Sequence, residues 1–116
     1  MNLMIGRTFR KVFASPDEMI FEANDGTRFV FYHEQDCCET VRIEEIIGDL
    51  KDLTNRKLLQ AEEVSNADGP YPRAESYTWT FYKFATNRGS VTVRWLGESN
   101  GYYSESVDLH IREPLK

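Results

Sequence analysis

Along the chain, Met19, Phe21 and Ala23 fall on one face of an extended segment, and Phe29, Phe31 and His33 fall on one face of the next. Between them Asn24-Asp25-Gly26 supplies residues that accept positive backbone dihedrals, so 19–23 and 27–33 are predicted to form a hairpin. Alternation sends His33 out of that hairpin on the side of Phe29 and Phe31.

The last third carries the same period of two. Residues 75–86 set Tyr77, Trp79 and Phe81 against Thr78, Thr80, Tyr82 and Phe84, and 90–96 and 102–112 alternate in the same way. In 102–112 the residues Tyr103, Glu105, Val107, Leu109 and Ile111 oppose Ser104, Ser106, Asp108 and His110. Asn87-Arg88-Gly89 and Gly97-Glu98-Ser99-Asn100-Gly101 are the expected turns of a three-stranded meander with one core face and one wet face.

Elsewhere the period is mixed. Phe9, Val12 and Phe13 fit helical spacing slightly better than alternation, but the β-branched and aromatic content favours a strand over 7–14. An untethered or edge segment, 1–6, precedes it, and Ser15-Pro16-Asp17-Glu18 is turn chemistry. Val41, Ile43, Ile46, Ile47, Leu50 and Leu53 recur at twos, threes and fours, which predicts a short strand running into a helix near 48–53. Asn55, able to take the left-handed conformation, would end that turn. Residues 58–65 form a further expected strand with Leu59, Ala61 and Glu63 on one face, followed by a Pro- and Gly-rich loop over 66–73 that suits proteolytic nicking. The expected fold is α+β: a mostly antiparallel sheet of about six or seven strands with one short helix, in a single domain spanning 1–116.

Composition narrows the function classes. At 116 residues, with 41% hydrophobic, 28% charged and 13% aromatic residues, the chain has the make-up of a folded domain. Its formal charge of -5, with the 14 Lys and Arg scattered, argues against duplex nucleic acid, although a local patch could hold one anion. No apolar run approaches the length of a membrane span, and no charged leader precedes one, so a cytosolic protein without membrane contact is expected. The two cysteines are chain neighbours, and a bridge between neighbours closes a strained ring, so reduced thiols are expected.

Two sets of residues carry candidate chemistry. The first is His33, Asp36, Cys37, Cys38 and Glu39, which are ligand types that zinc or iron accept. Structural zinc wants two separated ligand pairs, however, and the other histidine, His110, is far along the chain. No metal and no cofactor are therefore expected. Cys-His nucleophilic catalysis is opposed by the acidic neighbours, which disfavour the thiolate. The bland alternative is a capped turn in which Asp36 bonds backbone amides and one cysteine packs inward. Glu44-Glu45 and Glu62-Glu63 are adjacent carboxylates that face apart in regular structure, so they form no dyad. One of Glu62 and Glu63 should face inward and would then need Arg94 or a tyrosine hydroxyl as partner.

The second set is Trp79, Tyr82, Arg94, Trp95, Asn100, Tyr102 and Tyr103, which could build a stacking platform with anion and amide handles. Its bland counterpart is cross-strand packing of aromatics.

The segments His33-x-Gln35-Asp36-Cys37-Cys38-Glu39-x-Val41, Gly48-Asp49-Leu50, Ala61-Glu62-Glu63, Thr78-Trp79-Thr80-Phe81-Tyr82, Arg94-Trp95 and Ser99-Asn100-Gly101-Tyr102-Tyr103-Ser104-Glu105 together resemble a family of small proteins of unknown function. Such proteins are encoded by bacteriophages, prophages and some bacteria. The resemblance covers about residues 25–109. It departs from the family pattern at Glu44-Glu45, where relatives carry Glu-Asp, and near Asn55, where they carry glycine. It implies a phage or mobile-element setting and no reaction.

These readings converge on a non-catalytic accessory protein that binds a small polar ligand, with sequestration of a signalling nucleotide in counter-defence as one version, or a host protein. A hydrolase or nuclease-like enzyme using the His33 to Glu39 cluster is the alternative. A structural module that forms homo-oligomers is the third reading.

Overall fold

The 24–26 turn forms as its residues dictate. Gly26 has φ 93°, and the Asp25 carboxylate accepts the Thr27 amide at 2.9 Å. It joins β2 (Glu18–Ala23) to β3 (Arg28–Tyr32) in register, with Phe21 opposite Phe29 and Met19 opposite Phe31. The computed structural model of the chain describes residues 1–66, 76–100 and 103–114. Within them β1 (Phe9–Ala14), β4 (Thr40–Ile47), β5 (Gln60–Asn66), β6 (Ser76–Ala85), β7 (Ser90–Ser99) and β8 (Asp108–Arg112) complete eight strands. All the pairings are antiparallel, in two four-stranded sheets of order β1-β2-β3-β8 and β4-β7-β6-β5.

The two sheets face one another across an aromatic core. Phe21 meets Phe84 with ring centroids 4.8 Å apart, and Phe31 meets Tyr82 at 4.9 Å. Phe9, Phe29, Val91, Val93 and Trp95 fill the same layer. Burial of such side chains out of water is the main favourable term for a sandwich of this kind.

The fold is mostly β, and the expected helix is absent from the described residues. In place of a helix near 48–53 there is a single 3-10 turn, Leu50–Leu53, whose Lys51 amide is capped by Asp49. The mixed spacing that suggested helix has another origin. β4 bulges between Ile43 and Glu45, so Ile43 lies opposite Trp95 while Glu45 lies opposite Arg94. The extra residue resets the alternation and returns Ile46 to the core side, where it packs on the core with Ile43. β1 repeats the device: its register shifts between Phe9 and Lys11, which puts Phe9 and Val12 inside together. Gly48, at φ 117°, then turns the chain where a Cβ would lie 2.6 Å from the Ser90 carbonyl oxygen. Asn55 takes the expected left-handed conformation at φ 57°.

Two further expectations change. Residues 1–6 are tethered: a 3-10 turn, Asn2–Met4, buries Met4 completely, and the Gly6 amide donates to the Leu58 carbonyl. The meander has two strands instead of three. After β7 the chain crosses to the other sheet, where β8 pairs with β3, Ile111 opposite Phe29 and Leu109 opposite Phe31. Gly97, expected in a turn, lies inside β7, where the segment leading to β8 passes close over the strand: a Cβ there would stand 2.5 Å from the Glu105 carbonyl oxygen. The loop expectation over 66–73 falls almost wholly on residues outside those described. No helix among the described residues is long and apolar enough to cross a membrane.

Candidate functional site

His33 follows β3 and Glu39 precedes β4, and the chain between them turns back on itself around one carboxylate. Glu39 accepts His33 Nε2 at 2.6 Å, the Asp36 amide at 2.9 Å and the Cys37 amide at 2.9 Å. The Gln35 side-chain amide donates to the Glu39 carbonyl at 2.7 Å, which draws the turn shut. On the far side of the ring, His33 Nδ1 lies 2.7 Å from the Ser106 carbonyl oxygen. A carbonyl can only accept, so Nδ1 donates to it. The His33 hydrogen bond, together with the two amides, outweighs burial and lowers the Glu39 carboxyl from 4.5 to about 2. The carboxylate is therefore ionised and accepts from Nε2.

The side chains of His33 and Glu39 are 4% and 0% exposed, so this hydrogen-bonded pair is closed off from substrate. Its work is to clamp the β3–β4 connection onto the segment that leads into β8. The capping residue is thus Glu39 and not Asp36, which is exposed, because Glu39 is the carboxylate that reaches back to the amides of the turn. Cys37 and Cys38 are both exposed, and neither packs inward. Their sulfurs are bonded to each other at 2.03 Å, in place of the expected reduced thiols. Among the described residues no three His, Cys, Asp or Glu side chains gather as a metal site would require.

The second candidate set divides between the two faces of the β4-β7-β6-β5 sheet. Tyr82 and Trp95 point into the sandwich, 2% and 1% exposed. The Tyr82 hydroxyl donates to Glu63 at 2.5 Å, so Glu63 takes a tyrosine partner, but on the edge strand β5 it is exposed and not the buried carboxylate that was expected. Burial first, then this bond, raises the Tyr82 phenol well above its ordinary value. Trp79 and Arg94 sit on the outward face, with the guanidinium 4.7 Å from the indole centroid. Arg94 also pairs with Glu45 of the neighbouring strand at 3.6 Å. Asn100 and Tyr103 belong to the β7–β8 crossover, and Tyr102 lies outside the described residues. A single platform holding all seven is not formed, because the period of two sends Tyr82 and Trp95 inward and Trp79 and Arg94 outward.

The outward face holds residues that the sequence reading passed over. Tyr77 and Phe81, both half-buried, continue the line of Trp79 along β6, and Val64, 50% exposed, lies opposite Phe81 on β5. Their shared parity was legible; which parity faced water was not. This architecture, from the first turn to the start of β8, falls within one sequence family: the pattern of a domain of unknown function, DUF7448, matches residues 2–109. The chain belongs to that family. Membership takes in the N-terminal strands as well as the motif-bearing segments, and it brings no activity with it. No curated protein and no solved structure matches the chain.

Proposed function

We propose that this member of the family is a non-catalytic binding module whose recognition surface is the outward face of the β4-β7-β6-β5 sheet. The observation that carries the reading is the run Tyr77, Trp79 and Phe81 at successive outward positions of β6, with Arg94 stacked on the indole. An outward sheet face ordinarily carries polar residues, whereas Trp, Tyr and Arg concentrate in the centres of protein interfaces. The run spreads to the neighbouring strand β5, where Val64, half exposed, lies beside Phe81. That breadth favours a protein surface over a small polar ligand. The enclosed His33–Glu39 pair supports the non-catalytic part, since both of its polar ends are occupied by the protein itself. The phage or mobile-element setting rests on the motif resemblance alone.

The test is a comparative capture. Immobilised wild type and the Phe81→Glu and Val64→Glu variants are incubated with a host-cell extract, and the retained proteins are identified. A partner held by wild type and lost by both variants, at unchanged melting temperature, is the expected result. Retention of the same proteins by all three would overturn the assignment of the face.

A further inference from the structure

On the other sheet, a second outward feature stands apart from the aromatic face. One row of residues crosses all four strands: Lys11 opposite Glu22, Glu22 opposite Arg28, and Arg28 opposite Arg112. Arg10, in the β1 bulge, reaches into the same row. Four cations therefore stand along a row that holds the single carboxylate of Glu22, in a chain whose formal charge is -5. Glu22 is 5% exposed, and its two oxygens are taken one each by Arg10 Nε and Arg28 Nε, both at 2.8 Å.

That sharing fixes the guanidinium groups without using them up. The Arg10 and Arg28 side chains remain 47% and 45% exposed, and among the described residues their terminal nitrogens and the whole Arg112 guanidinium form no hydrogen bond or ion pair. Like charges directly opposite on paired strands destabilise a sheet, and Arg28 and Arg112 are such a pair, with Glu22 one strand too far to serve both. Stability of the fold does not account for Arg112 at this position. An anionic ligand would.

There is room for one. Glu22, Gly26, Arg28, Arg112, Glu113 and Pro114 line a hollow of about 660 Å3, within the size range of small-molecule sites. Its wall is built where the C-terminal segment packs on the β2–β3 turn, so closely that a Cβ on Gly26 would lie 3.1 Å from Pro114 Cβ. The lining sets two arginines against two carboxylates, but Glu22 is already taken up by Arg10 and Arg28, and Glu113 is exposed and forms no ion pair with either arginine among the described residues, which leaves Arg112 without a carboxylate partner. Planar guanidinium groups held at fixed positions match the oxygens of a phosphate, each offering paired N–H donors.

We infer that this hollow is a binding site for a small phosphate-bearing ligand, held by Arg28 and Arg112, with Arg10 and Lys11 farther along the same row. Calorimetric titration of the full chain with pyrophosphate, ATP and citrate tests it. Pyrophosphate should bind, more tightly at low salt than at high salt, because exposed charges are screened. Arg112→Ala should weaken that binding roughly tenfold or more while leaving the melting temperature unchanged. Arg94→Ala, on the opposite face, should not alter it. ATP bound much more tightly than pyrophosphate would identify a nucleotide as the source of the phosphate, and equal binding would identify the phosphate group alone. The site is overturned if neither phosphate compound binds wild type, if Arg112→Ala and Arg28→Ala both bind as wild type does, or if citrate binds as well as pyrophosphate.

Discussion

His33 Nε2 and Glu39 Oε2 stand 2.6 Å apart with both side chains shut away from solvent, and the same carboxylate takes two backbone amides. With the Gln35 side-chain amide at 3.4 Å, one ionised group therefore holds four donors. The Glu39 carboxyl falls from 4.5 to about 2 mainly because of the His33 bond. A carboxyl lowered on folding contributes stability that is fully present above its unfolded value and is lost as pH falls through its folded value. The clamp should thus be intact above pH 4.5 and fail between there and about pH 2. Thermal melts followed by circular dichroism across this window should show wild type losing stability. Glu39→Gln should start less stable and lose less, whereas Asp36→Asn, at an exposed carboxylate, should track wild type. A Glu39→Gln variant as stable as wild type at neutral pH would remove the clamp from the account.

How far the sequence revealed this clamp is instructive. The residue types and their crowding between β3 and β4 were plain, but the partner of His33 Nδ1 is Ser106, 73 residues away. No local pattern announces a backbone carbonyl at that distance. The choice between Asp36 and Glu39 as capping residue also depended on the shape of the turn. The β2–β3 hairpin was readable because its turn residues and its alternation agree. The helix near 48–53 was misread because a bulge imitates helical spacing: Ile43 and Ile46 both pack on the core, as Phe9 and Val12 do in β1. Likewise β8 looked like the third strand of a meander, since alternation shows that a segment is extended and not which sheet receives it.

The crossover to β8 depends on Gly97. The Glu105 backbone crosses the place where a side chain would begin, with its carbonyl oxygen 2.5 Å and its own Cβ 2.7 Å from a Cβ built at Gly97. Glu105 is held there by Thr78, whose hydroxyl donates to the carboxylate at 2.7 Å, and by the Ser99 hydroxyl. Gly97→Ala should cost about 1–3 kcal/mol, the usual range for overpacking where the opposing atom is backbone. Urea unfolding would measure it. The same substitution at Gly6, which has no atom within 4 Å of a Cβ, serves as the contrast: its positive φ is strained, but nothing is displaced.

Glu22 offers a test of the basic row that needs no ligand. Removing its charge leaves Arg10 and Arg28 without their shared acceptor and four cations facing one another across the sheet. Both arginine bonds hold the Glu22 carboxyl below its ordinary value, Arg10 contributing most. Because the arginines are about half exposed, solvent screens much of the attraction, and Glu22→Gln should cost only about 1–2 kcal/mol. The loss should shrink as salt is added, since screening eases the repulsion that remains. A salt-independent loss would show that packing of the side chain matters more than its charge.

The chain has two tryptophans, and the structure gives them different surroundings that emission spectroscopy can separate. Trp95 is in the core, 1% exposed, while Trp79 is outward and kept to 7% by neighbours that include the Arg94 guanidinium, 4.7 Å from its ring. Such a contact contributes about 0.5–1 kcal/mol at an exposed site and more when water is kept out. Arg94→Ala should therefore destabilise the protein by about 1 kcal/mol, including the loss of the Glu45 pair. It should also shift part of the emission to longer wavelength and open that part to acrylamide quenching, while the Trp95 component stays put. Arg94→Lys keeps the charge that faces Glu45 without the planar guanidinium over the indole, so it should restore part of the stability but not the protected emission. If Arg94→Ala left the spectrum and its quenching unchanged, the indole would owe its cover to other groups, and Trp79 would lose its place at the centre of the proposed recognition face.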